Sequence, residues 1–93
     1  LNCRFPLPGQ GLQALHMDWA SSNPQEQQRF QAGEYFVANS LWLLDDLSEE
    51  NGATRLVPGS HRFKKTPAEM GQDPEKPHPD EVVVTARAGT VVV

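Results

Sequence analysis

Cys3 is the chain's lone cysteine, so no intrachain disulfide can form and a metal site built on two cysteines is excluded. Such a chain suits a reducing compartment, and a cytoplasmic setting is the expectation. No apolar run approaches the roughly 20 residues of a membrane span. The N-terminus also lacks the basic region and hydrophobic core of a signal peptide. Positive charge is scarce as well. Eight Lys and Arg stand against twelve Asp and Glu, a net charge of −4, whereas nucleic acid or an anionic membrane needs a basic surface. Arg62, Lys64 and Lys65 make only a short local cluster, read as a solvated turn.

What the sequence does have is enough length for one small domain of 93 residues and enough proline, eight in all, for a loop-rich build. It starts at Leu1 without a methionine and stops at Val93 in an apolar run, so residues 1–93 are read as a single domain truncated at both ends. Helix signals are few. Asn23 can cap, Pro24 suits a first helical position and Glu26 lies three residues past the cap, predicting one short surface helix through about Phe30.

Strand signals dominate the remainder. Leu12 to Ala20 reads as an extended strand, and Tyr35 to Leu47 as a central strand covered on both faces. Asn51-Gly52 favours positive φ, and Ala53 to Val57 returns as the second arm of a hairpin. Residues 64–81, with four prolines and Gly71, read as a long excursion without regular sheet. Val82 to Ala86 and Thr90 to Val93 are two more short strands. Together these predict an all-β domain, a sandwich or jelly roll, whose apolar edge at Val93 could pair with a second copy.

With only three histidines, candidate chemistry is narrow. His16-Met17-Asp18 sets an imidazole and a carboxylate two residues apart, which on a strand share one face and can grip one metal ion. Such a pair plus a distant second histidine makes the facial triad of non-haem iron(II) oxygenases. The same pair also fits a plain surface hydrogen bond. His61, after a tight turn, is the one third ligand conceivable inside the chain. His78-Pro79-Asp80 repeats the pattern, but a proline-flanked backbone does not align i with i+2, so both are read as loop residues. Ser60 lacks the surroundings of a nucleophile, and Asp45, Asp46, Glu49 and Glu50 lack the spacing of a calcium loop. Trp42 is read as core or pocket lining.

The blocks Leu15 to Trp19, Trp42 to Leu47 and Asn51 to Arg62, in this order, resemble the phytanoyl-CoA dioxygenase family of iron(II)- and 2-oxoglutarate-dependent oxygenases. Ala88 to Val93 resembles that family's next strand. The resemblance implies a double-stranded β-helix, a cupin-like jelly roll. It implies a reaction in which 2-oxoglutarate and oxygen yield succinate and carbon dioxide while a C–H bond of a small organic substrate is hydroxylated. His16 and Asp18 then match the first two iron ligands. Thr54 and Gln13 match residues that family members use to hold 2-oxoglutarate, although Gln13 has the opposite strand parity to His16 and would need a bulge to face inward; Asn39, on the long strand, is a candidate for lining the cosubstrate pocket. The resemblance also demotes His61, because the family's distal histidine and its 2-oxoglutarate arginine follow the strand matching Gly89 to Val93. Negligible turnover is therefore expected of the 93 residues alone. The competing reading is a non-catalytic β module that binds a ligand or assembles through its edge.

Overall fold

The structure is a computed structural model that describes residues 6–93; Cys3 lies outside the described residues. It is strand and coil with one α-helix and two small antiparallel sheets, an arrangement compatible with a cupin-like fold. The helix α1, Pro24–Gln31, forms where the sequence places it. Asn23 sits in extended backbone and its side chain accepts the Gln25 N–H at 2.9 Å, satisfying one of the amides a helix start leaves free. Its glutamines face solvent, and Phe30 alone turns inward to join Leu43 and Val57 in a small core. No described helix is long and apolar enough to cross a membrane.

The strands are much shorter than their hydrophobic runs. They are β1 (Leu41–Trp42), β2 (Arg55–Leu56), β3 (Val82–Val83) and β4 (Val91–Val92). β1 pairs with β4 and β2 with β3, both antiparallel, so the inner pair of segments nests within the outer pair. Leu41 faces Val92, Trp42 faces Val91 and Leu47 faces Ala86, one register running from β1 to an isolated bridge. Between them the ladder bends, because Leu43 donates its N–H to Thr90 and accepts from Gly89, whose φ of +86° only glycine adopts at no steric cost.

Three expectations need correction here. The hairpin across Asn51-Gly52 does not form, since its two arms join different sheets. The turn itself is real. Gly52 takes φ +82°, and the Asn51 side chain accepts from Ser48 N at 2.8 Å and donates to Asp46 O at 2.6 Å, which makes the corner a tight stitched unit that redirects β2. The segment Tyr35 to Leu47 is not covered on both faces. Trp42 and Leu44 stand 67% and 78% exposed, because among the described residues no second layer lies over that side. Leu12 to Asp18 belongs to no ladder, and its Leu15 N–H is instead taken by Pro74 O at 2.9 Å.

The excursion through residues 64–81 carries no strand, as read, and contains one 3-10 turn at Ala68–Met70. The basic cluster is less solvated than expected. Lys64 adopts φ +55° and sets its ammonium 3.4 Å from the Tyr35 ring centroid and 4.4 Å from that of Phe30, two cation–π contacts that tie the start of the excursion to the end of α1.

Candidate functional site

The unladdered segment carrying His16 and Asp18 runs along the wall of a cavity of about 820 Å³. Gln13, His16, Asp18, Asn39, Thr54 and His61 all line it, gathered from four separate stretches of chain. Because the segment is not a paired strand, the parity that set Gln13 against His16 does not apply, and both reach the cavity.

His16 Nδ1 lies 2.9 Å from Ala14 O. A carbonyl oxygen can only accept, so Nδ1 is the donor in this contact. Nε2, the other ring nitrogen, stands 3.3 Å from Asp18 Oδ1. A proton or a metal ion can bridge two atoms that close. Asn39 Nδ2 meanwhile donates to the other carboxylate oxygen, Oδ2, at 2.6 Å. Each donor atom is thus oriented by a partner behind it, the imidazole by a backbone carbonyl and the carboxylate by an amide, as is usual around metal ligands. Both side chains remain about half exposed, 53% and 57%, and open to the cavity.

Among the described residues no three His, Cys, Asp or Glu side chains converge tightly enough to hold a metal ion, so His61 does not complete a set with His16 and Asp18. Its ring packs tilted against Tyr35, 6.0 Å between centroids. Thr54 lines the cavity, while its carbonyl accepts from Val84 N and anchors it to the inner sheet. Trp42 is neither core nor lining. Adjacent residues of a strand point to opposite faces, so Leu41 faces the cavity and Trp42 faces out, its indole N–H bonded to Ser40.

His78 and Asp80 lie in the loop, with Asp80 N donating to His78 Nδ1 at 3.0 Å, but the His78 side chain is only 14% exposed and lines the same cavity. Sequence reasoning missed the group beside them. Arg55 and Glu81 form an ion pair at 2.8 Å with side chains only 16% and 14% exposed. The His78 N–H and then the Arg55 guanidinium hold the Glu81 carboxyl below the usual carboxylate range. The aromatic wall was also missed. Trp19 stacks on Phe36 at 5.0 Å and leans on Phe30 at 4.6 Å, next to Asp18 in the chain. Its spacing gave no signal, since the three rings come from segments with no common period.

The family model for phytanoyl-CoA dioxygenase (PhyH) matches residues 2–93. The chain belongs to the phytanoyl-CoA dioxygenase family. Dioxygenase cdmD of Talaromyces verruculosus is 33% identical to it over 92 residues, covering 90% of this chain and 30% of that protein. The multifunctional dioxygenase prhA of Penicillium brasilianum is 43% identical over 60 residues, covering 58% of this chain and 18% of that protein. The chain therefore spans less than a third of the length of either relative. No solved structure matches the chain. Its kinship is with oxygenases, and the blocks that carry the resemblance bring His16, Asp18 and Thr54 to the cavity wall.

Proposed function

We propose that this chain is the metal-bearing part of an iron(II)- and 2-oxoglutarate-dependent dioxygenase that hydroxylates a small organic molecule, built on a double-stranded β-helix. The observation that carries the reading is the convergence of His16 Nε2 and Asp18 Oδ1 at 3.3 Å, each held from behind, on the wall of a cavity large enough for a small molecule. An imidazole nitrogen and a carboxylate oxygen are the donor types iron(II) takes in such sites, and these two residues would hold it. When bound, the iron and 2-oxoglutarate supply the oxygen activation.

The chain's own residues bind and orient. Ala14 O engages His16 Nδ1 and so turns Nε2 toward Asp18, and Asn39 keeps Asp18 from turning away. Thr54 offers a hydroxyl and Gln13 an amide for the polar ends of the cosubstrate, and Asn39 lines the same cavity while holding Asp18. Trp19, Phe36 and Leu41 give the same cavity an apolar side that excludes water from a substrate C–H bond.

The test is a titration of the 93-residue chain with cobalt(II), followed by paramagnetic effects on side-chain resonances. Signals of His16, Asp18 and Asn39 are expected to shift first, and affinity to fall roughly tenfold or more in His16→Ala and Asp18→Ala. Cobalt(II) binding elsewhere, or equal binding by both variants, would sink the proposal.

A further inference from the structure

The segment that carries the two metal-ligand candidates has no strand neighbour, so something else must fix its place. Two backbone groups just ahead of His16 are held from outside. The Leu15 N–H is taken by Pro74 O at 2.9 Å, and the Gln13 carbonyl accepts from an Arg55 Nη at 3.4 Å. The other Arg55 Nη donates to Glu81 Oε1 at 2.8 Å. Glu81 in turn takes the His78 N–H on Oε2 at 3.0 Å and gives its own N–H to His78 O at 3.1 Å. Pro74 and His78 belong to the same proline-rich excursion, so the polar contacts close a ring: Gln13, Arg55, Glu81, the excursion and back to Leu15.

Arg55 lies in β2 opposite Val83. The ring therefore refers the floating segment to the inner sheet, the element that also positions Thr54.

We propose that Arg55 is a positioning residue for the metal-ligand segment: with one arm on Glu81 and the other on the Gln13 carbonyl, it sets where His16 and Asp18 stand. The inference rests on the reading of those two residues as metal ligands. It also assigns the excursion a task, that of a bracket with Glu81 as its part-buried hook. A planar fork can serve both partners at once, whereas a lysine ammonium in that place reaches one. Arg55→Lys thus keeps a cation for Glu81 and releases Gln13, which separates positioning from mere stability.

Two readouts decide the matter in the full chain. In the metal-free protein, amide hydrogen exchange at Leu15 is compared with that at Leu43 and Ala86, which bond within the outer sheet. In Arg55→Lys and Arg55→Ala, Leu15 is expected to exchange about tenfold faster relative to the two reference amides, with cobalt(II) affinity falling about tenfold. If Arg55→Ala does not fold, Arg55→Lys alone carries the comparison. Wild-type exchange and affinity in Arg55→Lys would overturn the proposal. So would equal acceleration of all three amides, the mark of a plain stabiliser, or a loosened Leu15 with unchanged cobalt(II) affinity. If the wild-type chain takes no cobalt(II) at His16, the metal reading has failed instead, and the Leu15 comparison shows by itself whether the bracket exists.

Discussion

Asn39 holds Asp18 from a distance of 21 positions in the chain, its amide 2.6 Å from the carboxylate oxygen that His16 does not face. The bond leaves Oδ1 directed at the histidine nitrogen, so the two side chains are already oriented toward each other. Preorganisation of this kind lowers the cost of binding.

Replacing Asn39 with alanine should therefore cost metal affinity rather than stability, because the amide is exposed and packs little. Cobalt(II) affinity is expected to fall about 10- to 100-fold, with a thermal midpoint close to wild type. An unchanged titration curve would show that Asp18 needs no such guide.

Gly52 is the position where backbone and packing both forbid a side chain. Its φ is +82°, and a Cβ there would come within 2.5 Å of Pro6. Gly52→Ala is expected to destabilise the fold by at least about 1–2 kcal/mol from the left-handed backbone alone. Denaturant unfolding of the two proteins measures it.

Stability should depend on acid through three carboxylates. Glu81 is held below the ordinary value of 4.5 by the His78 N–H and Arg55, Glu69 by the Thr66 N–H and hydroxyl, and Glu34 by Arg29. A depressed carboxyl favours the folded state while it is ionised there. The contribution is thus complete above pH 4.5 and lost as pH falls below it through the depressed values. Thermal midpoints across this range are expected to drop on acidification, and Glu81→Gln, already lacking the charge, should show a shallower drop.

The outer face of β1 predicts self-association. Trp42 is strongly exposed and pairs across the ladder with Val91, so it presents an apolar surface beside the exposed Val91 and Val93, with the exposed Leu44 close by in the chain. Sedimentation of the 93-residue chain should show concentration-dependent association that Trp42→Lys or Leu44→Lys abolishes. A monomer at all concentrations would remove the proposal that the chain pairs with a second copy.

How far the sequence was legible varies with the range of the forces involved. Asn23 and Pro24 announce α1 because capping is settled within four residues, and Asn51-Gly52 announces its turn because positive φ is a property of the residue itself. The run from Tyr35 to Leu47 misled, since an apolar run records what a segment can bury and not what lies opposite it. Its ladder is limited to Leu41–Trp42 and single bridges by the bend at Gly89 and by the lack of a covering layer among the described residues.

For the site, the sequence by itself determined the candidate residues: the His16-Met17-Asp18 pattern and the blocks around it name the residue types and the family, because covalent spacing and residue chemistry are local. Only the tertiary structure decided that Asn39 guards Asp18, that Gln13 and Thr54 share a cavity with the pair, and that Arg55 and Glu81 bracket the segment from the far side. Asn39 lies 21 positions from Asp18, and Arg55 lies 42 from Gln13 and 26 from Glu81. No periodicity encodes such pairings. They follow from where two nested sheets and a proline-rich excursion happen to close, and that closure is a property of the whole chain's packing.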